Sequence, residues 1–450
     1  TIHTSKFKTN LIAIFLTTKL TRENVTKNAL TSMVLRRGSK NMPTTENISK
    51  NMEEMYGAGF DCGLDKTGDN QVLKFYIETV NDEFLPQTGE DMLKTSLEKI
   101  LEIVFNPYLE NGSFKEEYVK QEKNNIIQRI DGKIDNKSRY AVDRCIEEMY
   151  KDEPFGLFKF GYKEDLEKID AKVLYEHYQE MIKTCKIDIF VSGNIGEDRA
   201  SASGNVGKDI KSVSGNVEKD IKSASENIGE DIKSALGNAK EEIKTVILKN
   251  ENIKKLNERK PDYNVPIQQG KTSKKEKIIN ESMEVTQGKL ILGLDVDMNQ
   301  EEEKYACVLY NSILGGSANS KMFQNVREKA HLAYVASSSY MRYKNNIFVN
   351  CGIEISNYEK ALNLIREQIQ DMKSGKFTDE DIKNSKKNVI ASIKIIEDEQ
   401  DTGIAYNFGQ ELTNSRVNIE EYISNVEKVT KEDIIKIANK VSINTIYFLK

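Results

Sequence analysis

The chain repeats itself in two stretches, Phe114-Lys-Glu-Glu-Tyr-Val-Lys-Gln-Glu-Lys-Asn-Asn-Ile-Ile-Gln-Arg-Ile130 and Phe377-Thr-Asp-Glu-Asp-Ile-Lys-Asn-Ser-Lys-Lys-Asn-Val-Ile-Ala-Ser-Ile393. Seven of the 17 aligned positions are identical, and a further pair, Val119 and Ile382, keeps its apolar character. Each stretch opens with an acidic turn and continues with the apolar periodicity of an amphipathic helix. The similarity indicates a chain built from two copies of one unit.

The order of the predicted elements around these two helices repeats as well. Each half begins with an apolar strand, continues with a helix that ends at a glycine, and then forms a second strand. The predicted ranges are Asn10–Thr18, Glu23–Arg36 and Val72–Thr79 in the first half, and Gly288–Val296, Glu301–Leu314 and Ile347–Ile355 in the second. A closing strand follows at Ile187–Val191 and at Thr445–Leu449. Two α/β units of roughly 180 residues explain this repeated order of elements. Chance similarity between two amphipathic helices does not explain it.

The composition and charge of the chain exclude several classes of protein. The chain has 450 residues, 38% of them hydrophobic and 30% charged, with a mean hydropathy of −0.58. Its net charge of −5 is spread without a basic block, which argues against nucleic acid as a partner. The longest apolar run, Leu11–Leu16, is too short to span a membrane, and no signal-peptide pattern follows it. The five cysteines form no CxxC pair and are expected to be reduced thiols, so we expect a cytoplasmic protein.

A tract of different character separates the two units. From Ser192 to Val246 the sequence repeats with a period of 11 residues, in blocks that begin at Ser192, Ser203, Ser214, Ser225 and Leu236. An 11-residue period places the apolar residues on one ridge of a helix, but the glycines in most blocks disfavour a helix by ~1 kcal/mol each. We interpret the tract as a low-complexity spacer outside both cores, with a dedicated binding element as the alternative. The predicted domains are therefore 1–191, a linker of repeats at 192–277, and 278–450.

The second half contains a specific motif, Ile313-Leu-Gly-Gly-Ser-Ala-Asn-Ser-Lys-Met-Phe-Gln-Asn-Val-Arg-Glu-Lys-Ala-His-Leu-Ala-Tyr334. It resembles the C-terminal signature of the pitrilysin/insulinase-type (inverzincin) metallopeptidases, in which a Leu-Gly-Gly turn precedes Arg-Glu-Lys and Leu-Ala-Tyr. The resemblance covers both halves. It implies an α+β fold of two homologous halves, each a mostly antiparallel sheet covered by helices, that face each other as a clamshell. Within the family, the chain is most similar to the subfamily labelled elongation factor P aminopentanol-modification-associated.

Active members of that family hold zinc on a helix that carries His-x-x-Glu-His, with two histidine ligands and a glutamate as general base. When Arg37-Gly38-Ser39 is aligned with the family's turn, the histidine positions fall on Ala29 and Met33 and the glutamate position on Ser32. A further glutamate ligand falls on Arg129, counted from Glu122. The chain has only three histidines, His3, His177 and His331, and no two of them lie within four residues. We therefore expect no catalytic zinc in this chain.

A second functional feature of the family is present. Active members use an Arg/Tyr pair of the C-terminal half to contact the substrate backbone, and Arg327 and Tyr334 match this pair in order and spacing. A guanidinium and a phenol can donate hydrogen bonds to a peptide carbonyl on which charge develops. The alternative is a solvated arginine and an ordinary tyrosine at the edge of a core.

Two weaker patterns lie in the same region. Glu328 and His331 form a Glu-x-x-His, which is half of a metal-binding pattern and lacks further ligands. The stretch Gly315–Lys321 suggests a phosphate loop but lacks the Gly-Lys-Ser/Thr ending, so a turn is predicted there.

The resemblance favours a catalytically incomplete subunit of a zinc peptidase. Such a chain would pair, as a heterodimer, with a paralogous subunit that carries His-x-x-Glu-His and holds the zinc. Arg327 and Tyr334 would bind the peptide or unfolded polypeptide substrate. The alternative is a structural or peptide-binding pseudopeptidase with no role in catalysis, which could capture a peptide by adding it to a sheet edge.

Overall fold

The computed structural model describes residues 1–86, 91–195, 240–254, 256, 259–261 and 276–450. Within these residues no helix combines the length and the apolar character needed to cross a membrane. Most of the period-11 tract lies outside the described residues. The proposed domain boundaries therefore stay predictions.

The N-terminal half consists of a sheet with helices on one of its faces. Its strands are β1 (Ile2–His3), β2 (Thr9–Lys19), β3 (Gly59–Thr67), β4 (Asn70–Val80), β5 (Leu109–Glu110), β6 (Ser113–Phe114) and β7 (Lys186–Gly193). Its helices are α1 (Val25–Leu35), α2 (Thr45–Glu54), α3 (Met92–Phe105), α4 (Glu116–Asp131), α5 (Lys137–Met149), α6 (Lys163–Leu166) and α7 (Ala171–Thr184).

Among the described residues, two α-helices precede the C-terminal half, α8 (residues 240–249) and α9 (Glu251–Lys254). The strands of that half are β8 (Lys277–Glu281), β9 (Gly288–Val296), β10 (Ala333–Met341), β11 (Asn346–Ile353) and β12 (Val441–Leu449). Its α-helices are α10 (Glu303–Leu314), α11 (Tyr358–Lys373), α12 (Asp379–Ile395), α13 (Gln400–Thr413), α14 (Ile419–Lys428) and α15 (Lys431–Lys440). A π-helix, Met322–Lys329, lies between α10 and β10.

The two sheets have the same topology, which confirms the predicted α+β fold of two homologous halves. The strand order is β1-β7-β2-β4-β3 in the first half and β8-β12-β9-β11-β10 in the second. In each sheet the short first strand runs parallel to the closing strand, and the other neighbours are antiparallel. The repeated helices α4 and α12 begin at equivalent positions, two residues after Phe114 and Phe377.

The central strands of both sheets are buried on both faces, because the halves exchange one helix. One face of each sheet packs against the helices of its own half, as Ile12 and Leu292 show. The opposite face of the C-terminal sheet packs against α5 of the N-terminal half, and that of the N-terminal sheet packs against α13 of the C-terminal half. Burial on both faces explains why β2 is a continuous apolar run rather than an alternating one. The halves therefore face each other through two interleaved, equivalent helices.

A buried ionic cluster joins the halves beside these helices. The Nζ atom of Lys344 donates to both carboxylate oxygens of Asp69, at 3.1 and 3.2 Å, and to Oε2 of Glu153 at 3.3 Å. The Lys344 side chain is 0% exposed and lies 5.0 Å from the Tyr150 ring centroid. A buried cation needs such partners, because its desolvation is costly.

The end of the predicted linker differs from the expectation. Residues of α8 and α9 pack against the N-terminal core, and Ile243 is buried there with Val246 and Ile247 beside it. This part of the tract has no glycine after Gly237, so its apolar residues at i, i+3 and i+4 can form a helical stripe. The prediction that the whole tract lies outside both cores is therefore wrong for these described residues.

Candidate functional site

Arg327 and Tyr334 form an exposed pair on the C-terminal half. The Cζ atom of Arg327 lies 5.9 Å from the centroid of the Tyr334 ring and 4.6 Å from that of the Phe323 ring. The side chain of Arg327 is 40% exposed, and Tyr334 is 72% exposed. The structure thus brings together the two residues that the resemblance places in contact with substrate.

The backbone that carries Arg327 and Tyr334 is irregular. Arg327 lies on the π-helix, whose end is marked by an i→i+5 hydrogen bond from the Ala330 N–H to the Asn325 carbonyl at 3.2 Å. Tyr334 lies in a bulge, since the pairing of β10 with β11 shifts between Ala333 and Val335. Between them, His331 has a left-handed φ of 51°. Such features are uncommon and cluster at functional sites, where a bulge re-aims a side chain.

The guanidinium of Arg327 keeps most of its donors for a ligand. Its one ion pair among the described residues joins Nε to Oε1 of the adjacent Glu328 at 3.3 Å. Both side chains are largely exposed, and such surface pairs contribute ~0–1 kcal/mol. Stacking on Phe323 orients the planar group without using its N–H donors.

The positions matched to the zinc motif lie in the N-terminal half. Ala29, Ser32 and Met33 belong to α1 and are buried, and the Ser32 hydroxyl donates to the Ala29 carbonyl at 2.8 Å. Met33 lines a cavity of about 510 Å³. Arg129, on the neighbouring α4, lines the same cavity, whereas Ala29 and Ser32 do not.

Charged side chains surround this cavity. Arg36, Arg37 and Arg129 line it, together with one carboxylate, Glu122. Arg37 donates from Nε to Oε1 of Glu122, and Asn125 donates from Nδ2 to Oε2 at 2.9 Å. Glu122 is 2% exposed. Its buried carboxylate therefore needs protein donors, and these two side chains supply one to each oxygen.

An edge strand passes beside α1, the helix that carries Met33. β3 pairs with β4 on one side and is the last strand of its sheet within the described residues. Cys62 on β3 places its Sγ 3.9 Å from the Ser32 carbonyl oxygen. Burial raises the pKa of the Cys62 thiol to about 11, against the opposing effect of Arg36. The thiol is therefore protonated at neutral pH and is a poor nucleophile.

Comparisons with known proteins agree with this architecture. The chain is 32% identical over 450 residues to the probable inactive metalloprotease YmfF of Bacillus subtilis (strain 168), a match that covers 100% of this chain and 94% of the relative. The family model described as the peptidase M16 inactive domain matches residues 168–389. The chain belongs to the M16 peptidase family.

Solved structures share the fold. A conserved protein from Enterococcus faecalis V583 superimposes with a TM-score of 0.82 at 24% identity, covering 100% of this chain and 95% of that one. A peptidase M16 inactive domain from Pseudomonas fluorescens gives a TM-score of 0.70 at 16% identity, covering 100% and 94%. A further relative, the uncharacterized zinc protease YmxG of Bacillus subtilis (strain 168), is 25% identical over 161 residues, which cover 35% of this chain and 39% of the relative.

The residues of this M16 chain do not fit zinc. Alanine and arginine cannot ligate the metal, the Ser32 hydroxyl is engaged within α1, and both oxygens of Glu122 are engaged by Arg37 and Asn125. A guanidinium at position 129 also repels a cation. The chain is therefore a catalytically incomplete M16 peptidase homologue.

The two weaker patterns carry no site. No group of three or more His, Cys, Asp and Glu side chains suited to a metal was found in the described part of the chain, which includes Glu328 and His331. Residues 315–320 form turns and bends, as predicted for Gly315–Lys321. A Cβ atom on Gly315 would lie 2.5 Å from the Ser338 nitrogen, so glycine is needed there for close packing.

Three features of the site were missed by sequence reasoning. The π-helix and the bulge have no recognised local sequence signal, and both depend on tertiary contacts. The basic cavity was missed because Arg36 was considered only as the end of a predicted helix and Arg37 only as part of an aligned turn. Arg36 and Arg37 follow Met33 by three and four residues, which is one helical turn, so this spacing would have placed all three side chains on one side of the helix end.

Proposed function

We propose that this chain is the non-catalytic subunit of a heterodimeric M16 peptidase. Its partner would be a paralogous subunit that carries His-x-x-Glu-His and holds the zinc. In the assembled enzyme, Arg327 and Tyr334 contact the peptide or unfolded polypeptide substrate. A cytoplasmic location and membership of the elongation factor P-associated subfamily remain part of this proposal.

The observation that carries the proposal is the exposed Arg327/Tyr334 pair. A purely structural role would favour burial of the tyrosine ring, yet Tyr334 is 72% exposed. The bulge that displays it interrupts the β10–β11 ladder, which costs strand pairing without any packing gain for the ring. Exposed aromatic and arginine side chains of this kind are typical of binding sites.

The two groups have complementary chemistry toward a peptide. The guanidinium donates in a plane and can hold a backbone carbonyl, and the phenol can donate a hydrogen bond to the same oxygen as charge develops on it. Donors placed in advance at such an oxygen lower the barrier because no reorganisation is needed during the reaction. The metal of the partner would supply the activated water.

The relatives support a division of labour within the family. Bacillus subtilis (strain 168) contains both a probable inactive metalloprotease and an uncharacterized zinc protease that resemble this chain. A chain without metal ligands is useful to a peptidase only if a second subunit supplies them. The organism that encodes this chain should therefore also encode a paralogue with His-x-x-Glu-His.

The test is reconstitution. The purified chain and that paralogue are assayed alone and mixed, by light scattering for a 1:1 complex and by cleavage of an unfolded protein such as reduced casein. Cleavage that requires both chains supports the proposal. A zinc-bearing paralogue that is fully active alone, and forms no complex with this chain, contradicts it.

A second candidate function is favoured by the edge strand β3. Its side away from β4 is unpaired among the described strands, and Cys62 on β3 lies beside Ser32 of α1, the helix that carries Met33. An extended peptide could add to this edge through backbone hydrogen bonds alone. The chain would then be a peptide-binding pseudopeptidase, and it would bind unfolded peptide without its paralogue.

A further inference from the structure

The cavity over the degenerate zinc motif has an unbalanced positive charge. Three guanidinium groups, those of Arg36, Arg37 and Arg129, line it with a single carboxylate, Glu122. Glu122 is paired with Arg37, which leaves Arg36 and Arg129 as an excess of two positive charges. Neither Arg36 nor Arg129 forms an ion pair with any residue that the structure describes.

The two arginines are held at the cavity from different helices. Arg36 follows the last residue of α1, three residues after Met33, and therefore shares the cavity face of that helix. Arg129 lies on α4, seven residues after Glu122, and its Cζ atom lies 5.4 Å from the Phe160 ring centroid. Because α1 and α4 pack together, both cations are presented to one space.

Two like charges that line one cavity repel each other, and a shared counter-ion offsets this repulsion. Arginine is suited to this role, since its planar fork donates two parallel hydrogen bonds to a carboxylate or phosphate. The neutral lining adds donors for an oxyanion, the amides of Asn125 and Gln128 and the hydroxyl of Thr45. The cavity, at about 510 Å³, has room for such a group together with the residue that carries it.

We propose that this cavity is an oxyanion site, in which Arg36 and Arg129 bind a carboxylate of a bound peptide in the place where active M16 members hold zinc. The inference rests on the proposed binding of peptides. Guanidinium groups would then stand where active members hold zinc, and they bind an acidic group without activating water. The carboxylate is either the C-terminus of the peptide or an aspartate or glutamate side chain.

The first experiment separates these sources. Three rhodamine-labelled peptides of one Ser/Thr/Val-rich sequence are compared by fluorescence anisotropy: a free acid without Asp or Glu, its C-terminal amide, and the amide with one central Asp. A free acid that binds about tenfold to hundredfold more tightly than the amide indicates the C-terminus, as expected for charge-assisted hydrogen bonds. The same gain for the Asp peptide indicates a side chain.

The variants are Arg36→Gln, Arg129→Gln and their combination, with Lys120→Gln as the control. Both arginines are exposed, so the glutamine variants should fold. Lys120 is an exposed cation on α4 that does not line the cavity, and its substitution matches the change in net charge of each single arginine variant. The double variant should lose the preference for the carboxylate, whereas Lys120→Gln should keep it. Equal binding of all three peptides to the unmodified chain overturns the inference and leaves peptide binding intact.

A second experiment does not depend on peptides. Sodium acetate, titrated against sodium chloride at constant ionic strength, should raise the melting temperature of the unmodified chain and of Lys120→Gln but not of the double variant. If none of the peptides binds, peptide binding by the chain alone fails, and this measurement then decides the oxyanion site by itself. A rise that is equal in all variants, or absent in all, overturns the site.

Discussion

The guanidinium carbon of Arg327 lies 5.9 Å from the Tyr334 ring centroid, although the end of a π-helix and a left-handed residue separate the two along the chain and Tyr334 itself lies in a strand bulge. This backbone places both side chains on one exposed surface. Their function is testable by substitution, because neither contributes to a buried core.

In the reconstituted complex, Arg327→Ala and Tyr334→Phe should each lower kcat/KM for peptide cleavage by roughly 10²–10³, the usual loss for one donor to a developing oxyanion. Size and stability of the complex should not change, since both side chains are exposed. Lys329→Ala is a matched control, because Lys329 is an exposed cation of the same π-helix. Turnover that is unchanged in both test variants would show that the pair has no role in catalysis.

The purified chain should contain far less than one zinc per molecule after dialysis, as measured by inductively coupled plasma mass spectrometry. The reason is chemical: Ala29, Met33 and Arg129 stand at three ligand positions, and Glu122 is already paired. Metal sites also need ligands that can be deprotonated. Tight binding of one zinc per chain would contradict both the alignment and the assignment of this cavity.

Several elements could be predicted from the sequence because their residues have one physical explanation. The run Asn10–Leu16 is apolar at nearly every position, and β2 is buried on both faces. The absence of the zinc-binding histidine pair can also be recognised directly from the sequence, since such a pair is either present or absent.

Other features could not be predicted, because local patterns do not identify a packing partner. The helices α5 and α13 are amphipathic like their neighbours, yet each covers the sheet of the opposite half. The sequence shows their apolar stripes but not which sheet those stripes contact. Phe15 and Phe408 illustrate the point: their ring centroids lie 4.6 Å apart across the two halves, at a great distance along the chain.

His177 makes the stability of the N-terminal half depend on pH. Its Nε2–H donates to Oδ1 of Asn28 at 2.7 Å, and the orientation of Asn28 follows from its own donation to Gln71 at 2.9 Å. Burial, followed by the nearby Lys27 cation, lowers the pKa of His177 from 6.5 to about 4. Between these values the unfolded chain binds a proton that the folded chain does not, so stability falls as the pH falls from 6.5 toward 4.

The contribution of His177 can be isolated with His177→Gln, whose amide can donate to Asn28 but does not titrate. From pH 7 to pH 4.5, urea unfolding should show a larger loss of stability in the unmodified chain than in the variant. The difference should be at most about 3 kcal/mol, given 1.36 kcal/mol per pKa unit. Parallel pH profiles for the two proteins would show that the folded histidine titrates normally.

Lys344 should be the cation on which the contact between the halves depends most. Lys344→Met leaves the buried carboxylate of Asp69 and the partly buried one of Glu153 without their shared cation, and breaking such a cluster typically costs ~3–5 kcal/mol. Lys6→Met is the control, because Lys6 also bridges the halves, to Asp398, but through side chains that are more than half exposed. Loss of this exposed ion pair should cost ~0–1 kcal/mol.

Calorimetry of both variants measures the difference in stability. Lys344→Met combined with Asp69→Asn should recover part of the lost stability, because it removes one unpaired charge. Equal melting temperatures for Lys344→Met and Lys6→Met would mean that the apolar helices α5 and α13 hold the halves together unaided.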